Sequence, residues 1–160
     1  GSCTYPSSLA IGDTHQGGII FWLDGNGGGL IAAPSDQSNG TQWGCYLSAI
    51  AGADGTGIGT GAQNTIDIEA GCITSGIASD ICANLTLGGY SDWFLPSQGE
   101  LNEMHIQHSL IGGFGNLTTS VYWSSTELDD STAWEMNVVS GSYGPGLKSY
   151  QRFVRAVRAF

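Results

Sequence analysis

Apolar positions cluster early in the chain in two short stretches, residues 17–23 and 29–33, on either side of Asp24-Gly25-Asn26-Gly27-Gly28. Extended runs flanking a glycine-rich turn predict a β-hairpin. Asp24 and Asn26 also stand two apart before a glycine, as in a calcium loop, but the twelfth loop position holds Ser35 rather than Glu, so the turn stands without a metal. Residues 34–64 lack a clear period and predict loop, with Trp43 and Tyr46 expected to anchor it to the core. Within that loop, residues 55–61 alternate glycine with Thr and Ile; no Lys follows in phosphate-loop frame and no strand precedes, so a packed surface loop is expected.

Residues 65–85 return to a helical period, with Ile66, Ile68, Ile73, Ile77, Ile81 and Leu85 as the apolar face and Gly71 and Gly76 marking a break. The period then changes sharply. Residues 90–95 are apolar enough for a short strand, Pro96 ends it, and Ser97 with Glu100 forms an S-x-x-E capping box that opens a helix over Leu101, Met104, Ile106 and Leu110. After Gly112-Gly113-Phe114-Gly115 the pattern is β again, with strands expected at 121–126, 132–139 and 150–158 and loops at 127–131 and 140–149. Loops of this kind usually carry binding residues.

With 160 residues and 41% hydrophobic content, one domain spanning 1–160 with a single core is expected. Gly1-Ser2 reads as a cloning remnant on an excised fragment. No apolar run approaches the ~18 residues a membrane crossing needs, so membrane insertion is not expected. The formal charge is −10, and the only cations are Lys148, Arg152, Arg155 and Arg158, so residues 1–147 hold all fourteen carboxylates and no Lys or Arg. An acidic body of this kind repels a phosphate backbone, which excludes nucleic acid as a partner. Cys3, Cys45, Cys72 and Cys82 in a glycine-rich chain read as an extracellular disulfide framework with three connectivities open. The short intervening segment favours Cys72 with Cys82, leaving Cys3 to tie down the N-terminus through Cys45.

Several blocks together resemble a known family. Gly88-Gly89-Tyr90-Ser91-Asp92-Trp93-Phe94-Leu95-Pro96-Ser97, Gly17-Gly18-Ile19-Ile20-Phe21-Trp22-Leu23-Asp24, Ala32-Ala33-Pro34-Ser35-Asp36-Gln37, Tyr122-Trp123-Ser124-Ser125 and Val154-Arg155-Ala156-Val157-Arg158 resemble the C-terminal domain of bacterial collagen-like surface adhesins of the Lcl type. The resemblance runs from about residue 11 to the last residue. It implies an α+β, C-type-lectin-like fold with a mainly antiparallel sheet, two or three helices and long loops, whose first and last strands commonly pair. It also implies a secreted or cell-surface binding role toward carbohydrate or an extracellular-matrix or cell-surface protein, with a homotrimer as the natural assembly. The Glu-Pro-Asn and Trp-Asn-Asp motifs of calcium-dependent sugar-binding lectins are absent from this chain. Some members of the resembled family bind sulfated polysaccharide, for which a −10 chain is poorly suited.

Candidate chemistry concentrates in the C-terminal loops. Glu127, Asp129 and Asp130 are three hard oxygen ligands within four positions, a set that suits calcium with help from Glu135 or Asn137, though no cofactor is required. A flat aromatic ring beside polar side chains is the other device for holding a sugar, and Tyr143, Trp134, Tyr150 and Lys148 with Asn137 are the candidates. Trp93 and Trp123 are expected in the core. Arg152, Arg155 and Arg158 are expected to pair with acids such as Asp92 or Glu100. His105 and His108, three apart on the capped helix, could share a metal only with a third ligand. No nucleophile elbow or separated acid–base pair is present, so the chain reads as non-enzymatic. Two alternatives remain: a structural trimerising head or stalk cap without its own ligand, and an oxidase like the formylglycine-generating enzymes, which share the lectin-like fold and use paired cysteines, here Cys72 and Cys82.

Overall fold

The structure, a computed structural model, describes residues 8–115 and 118–160; Cys3 lies outside them. Its elements in chain order are β1 (Thr14–His15), β2 (Gly18–Leu23), β3 (Gly29–Ala32), β4 (Ser38–Thr41), α1 (Gly61–Gly71), α2 (Ala78–Ala83), α3 (Gln98–Ile106), α4 (His108–Ile111), β5 (Tyr122–Glu127), β6 (Thr132–Met136), β7 (Tyr143–Leu147), β8 (Arg152–Val154) and β9 (Val157–Ala159). The fold is α+β and mostly sheet, as a lectin-like module requires. One sheet has the order β1-β2-β3-β9 and the other β4-β8-β5-β6-β7; pairing is antiparallel except between β5 and β8. The C-terminal strand β9 thus closes on the N-terminal hairpin through β3.

The hairpin forms where its pattern predicts. Asp24 Oδ1 accepts from the backbone N–H groups of Asn26 at 2.6 Å and Gly28 at 3.0 Å, so its carboxylate shapes the turn. The runs on either side are continuous rather than alternating because both faces are covered. Ile20 and Ile31 enter one apolar cluster, with Trp43, Ile68 and Trp123, while Phe21 and Leu30 enter the other, with Leu101, Met104 and Tyr122. Each such fully buried side chain contributes about 1.5–3 kcal/mol. Trp93 is also buried in the first cluster.

The capping box is complete. Glu100 N–H donates to Ser97 Oγ at 3.3 Å, and Ser97 N–H donates to Glu100 Oε1 at 2.8 Å. Glu100 is fully buried, and its second oxygen accepts from Gly59 N–H at 2.9 Å, so the cap also fastens the 55–61 loop. A side chain at Gly61 would have its Cβ 2.1 Å from Glu100 Oε1, which is why that position is glycine.

Several expectations fail. No strand forms over 90–95, where Tyr90 and Phe94 make only isolated bridges, to Leu87 and Val157. The loop expected at 140–149 contains β7, and that expected at 34–64 contains β4. In β7, Gly144 and Gly146 alternate with Tyr143, Pro145 and Leu147; proline and glycine conceal a strand, yet both suit this edge position. A Cβ at Gly146 would come within 2.1 Å of Glu135 Oε2, so that glycine leaves room for the carboxylate on the neighbouring strand. The strand expected at 150–158 is two strands in different sheets, separated where Ala156 N–H donates to Gln37 Oε1 at 2.6 Å and Ala156 C=O accepts from Ala33 N–H. Helical periodicity also overstated burial: Ile66, Ile73, Ile106 and Leu110 are exposed, and so is Tyr46.

Candidate functional site

The four cations share one construction. Lys148 Nζ lies 2.7 Å from Glu127 Oε2 and 4.7 Å from the centre of the Trp43 ring. Arg152 pairs with Glu135 at 2.7 Å and stacks on Tyr150; Arg155 donates to Asp36 at 2.9 Å and stacks on Phe114; Arg158 pairs with Asp92 and stacks on Tyr90. Every Lys and Arg therefore has both a carboxylate and a ring face, which compensates the loss of water around a charge. The expected partner Asp92 is used, whereas Glu100 serves its helix cap. Lys148 is corrected as a ligand-binding residue: it is 0% exposed and also donates to Ser48 C=O at 2.9 Å, so it fastens the 42–54 loop to the sheet.

The acidic loop does not assemble as a calcium site. Glu127 turns inward to Lys148 and accepts from Ile50 N–H at 2.8 Å. Asp129 Oδ1 accepts from Ser131 N–H, Thr132 N–H and the Thr132 hydroxyl, and these bonds, the Thr132 hydroxyl first, hold its carboxyl below its ordinary range. Asp130 accepts from the Ser131 hydroxyl at 2.7 Å. The carboxylates point to separate partners, and among the described residues no three His, Cys, Asp or Glu side chains gather in a metal-holding arrangement. His105 and His108 each engage a backbone carbonyl through Nδ1, which must carry the proton because a carbonyl only accepts, and their rings stack 5.9 Å apart.

The cysteine pairing is corrected as well. Cys45 bonds to Cys72, and Cys82 is a free, buried thiol whose pKa burial drives upward. Cys72 ends α1 in extended conformation and meets the incoming 45 loop, whereas α2 turns Cys82 into the apolar cluster beside Ala78. The short separation of Cys72 and Cys82 does not set the pairing, because the end of α1 presents Cys72 to the 45 loop while Cys82 is built into α2. The paired-cysteine oxidase arrangement of Cys72 with Cys82 is absent.

The open chemistry lies at the far end of β7. Tyr143 pairs across the ladder with Met136, and Trp134 with Pro145, which puts the two aromatics on one face with ring centres 6.0 Å apart. Trp134 is half-buried and Tyr143 is 62% exposed. Tyr143 lines two clefts. One, about 370 Å³, is formed with Glu135, Asn137, Ser140 and Ser142; the other, about 280 Å³, with Thr56, Gln98, Asn102 and Met136. Asn137 Oδ1 accepts from Val139 and Ser140 N–H groups and so shapes the turn below Tyr143. Tyr150 is exposed but its ring carries Arg152, and it lines neither cleft. Gln98, Asn102 and Thr56 escape sequence reasoning because they belong to a helix and a loop distant in sequence; the one available signal is that Gln98 and Asn102 stand one turn apart on the polar side of a helix marked by its cap.

Residues 33–158 match the family model described as the Lcl C-terminal domain. None of the curated proteins matches the chain.

Proposed function

We propose, from the premise that this chain belongs to the Lcl C-terminal domain family, that it is a non-enzymatic adhesion module whose contact surface is the Tyr143 face and whose ligand is carbohydrate. The family is one of adhesin-associated domains of bacterial surface proteins, which implies an extracellular or cell-surface setting and a surface or matrix partner. No helix among the described residues is long and apolar enough to cross a membrane. One observation carries the ligand class: an exposed tyrosine ring, backed by Trp134, divides two clefts rimmed by hydroxyl and amide groups. A ring face meets the C–H face of a sugar while amides and hydroxyls meet its hydroxyl groups. Such a site is shallow, so affinity for one copy is weak and clustered display raises it. The test is a glycan array followed by calorimetry with Tyr143→Ala. Loss of about tenfold or more in affinity with unchanged melting supports the reading; unchanged binding rejects it. Calcium is not needed for this site, and binding that persists in EDTA is the expected result.

A second reading, a trimerising head, has its own observation. Leu47 and Ile73, 62% and 96% exposed, flank the two cysteines of the Cys45–Cys72 bond, so two large apolar side chains stand in water beside a covalent staple. Burial between copies would account for them. Light scattering showing a trimer that Leu47→Asp with Ile73→Asp dissociates supports this assembly; a monomer at high concentration removes it.

A further inference from the structure

We infer that the two clefts beside Tyr143 are halves of one track for an uncharged oligosaccharide, with sugar units seated on both sides of the tyrosine ring. This rests on the reading of the Tyr143 face as a carbohydrate site and adds the charge and minimum length of the ligand.

The length follows from the geometry. Tyr143 is the residue common to both linings, at the start of edge strand β7, where it separates the Glu135 side of the ladder from the Met136 side. A ligand that fills either cleft alone touches one side of the ring. Volumes of about 370 and 280 Å³ lie near the lower end of the ~300–1,000 Å³ typical of small-molecule sites, so each suits a short piece of a chain rather than a whole one. A linear glycan crossing the ring gains both clefts for one loss of translational freedom.

The charge follows from the clamps. Neither cleft is lined by Lys, Arg or His. Its single charged group is Glu135, whose two oxygens receive Arg152 Nε at 2.7 Å and Nη2 at 3.2 Å. The other three cations are paired with Glu127, Asp36 and Asp92, so a sulfate or uronate finds no free counter-charge. What the track offers is hydroxyl chemistry. Among the described residues the side-chain amides of Gln98 and Asn102 make no protein hydrogen bond and present both donors and acceptors, and Ser142 adds a hydroxyl. A neutral sugar chain is donor and acceptor at every hydroxyl and matches that lining without a charge.

The experiment uses immobilised neutral glycans graded from monosaccharide to hexasaccharide in several linkages, beside sulfated and uronate-containing chains, with affinities of the hits measured in solution. Two variants each fill one cleft: Asn102→Trp on the Met136 side and Ser140→Trp on the other. The expected result is binding of a neutral chain of three or more units about tenfold or more tighter than its monosaccharide, reduced by either variant to the level of the short fragment, with melting unchanged in both. Equal binding of monosaccharide and chain, a requirement for sulfate or uronate, or indifference to both filled clefts overturns the inference. If glycans bind but Tyr143→Ala leaves them bound, the site itself is wrong; if Tyr143→Ala abolishes binding while length or charge behaves otherwise, only the track is wrong. No glycan bound at all, neutral, sulfated or uronate-containing, rejects both.

Discussion

Lys148 and Tyr143 stand at opposite ends of one edge strand, the first just past the end of β7 and the second at its start, and their surroundings differ in every respect that matters for binding. At Lys148 each side chain is engaged: the ammonium meets Glu127, Ser48 C=O and the Trp43 ring, the other Glu127 partner is Ile50 N–H, and Trp43 Nε1 donates to Ser124 C=O at 2.9 Å. At Tyr143 the amides of Gln98 and Asn102 face water. A buried polar group without a partner costs roughly 1–3 kcal/mol, so the interior must be closed on itself. The open end is under no such demand, and its polar groups are free to meet something else. Satisfied chemistry holds the fold, and unsatisfied chemistry on a rigid edge is where recognition can occur.

The contrast breaks most visibly at Lys148. Lys148→Met leaves the Glu127 carboxylate without its counter-charge in a nearly closed site, and a loss of about 3–5 kcal/mol is expected in denaturant unfolding. A loss below 1 kcal/mol would mean that water reaches Glu127 and that the two ends of β7 are not so different. Next in size is the Cys45–Cys72 bond, which closes a segment of 27 residues. Reduction, or Cys45→Ser with Cys72→Ser, should cost about 3–4 kcal/mol by loop entropy, while glycan binding at the distant Tyr143 face persists below the lowered melting temperature.

A smaller effect separates the carboxyls packed in the fold from its open face by pH. Glu69, on α1, accepts from the hydroxyl of Ser79 on α2 at 2.7 Å; burial and the neighbouring Asp80 raise its pKa to about 7. A carboxyl raised in the folded state favours folding when protonated. Its contribution is complete below the ordinary value of 4.5 and is lost as pH climbs through about 7. Melting temperature should therefore rise on acidification from pH 8 to about 5, and Glu69→Gln should flatten part of that rise. Buried Glu100, also raised by burial, acts in the same direction. A wild-type profile that falls over this window contradicts the assignment. Neither Glu69 nor Glu100 lines the clefts at Tyr143, and binding there should stay level over the same range.

What the chain made legible was local. The capping box, the Asp24 turn and the Arg158–Asp92 pair were visible because each rests on residue type and short spacing, or on a scarcity of cations that forces pairing. What was hidden was tertiary. The Cys45–Cys72 bond depends on where the end of α1 meets the loop that carries Cys45, and spacing pointed instead to Cys82. Strand β7 carries Pro145 between two glycines, and what makes it a strand is its antiparallel pairing with β6, which its own sequence does not reveal. Lys148 read as an exposed loop cation because nothing near it in sequence reveals Trp43 and Glu127 closing over it. The candidate site was half visible: Tyr143 and Trp134 through their exposure-prone loop and strand, but not Gln98 and Asn102, which the capped helix brings from elsewhere.

The smallest expected effect on stability is the one that most sharpens the comparison. Asn102→Ala removes an exposed amide from the polar side of α3 and puts a better helix former in its place, so stability should stay within about 0.5 kcal/mol of the parent. Affinity for a neutral oligosaccharide should nonetheless fall, because the hydrogen bonds lost are to ligand and not to protein. Measured side by side, the amide that the fold does not need and the ammonium that it cannot lose should move in opposite columns: Asn102→Ala in binding alone, Lys148→Met in stability first. If Asn102→Ala instead destabilised the chain by 1–2 kcal/mol, its amide would belong to the closed chemistry of the interior, and the open end of β7 would be smaller than its clefts suggest.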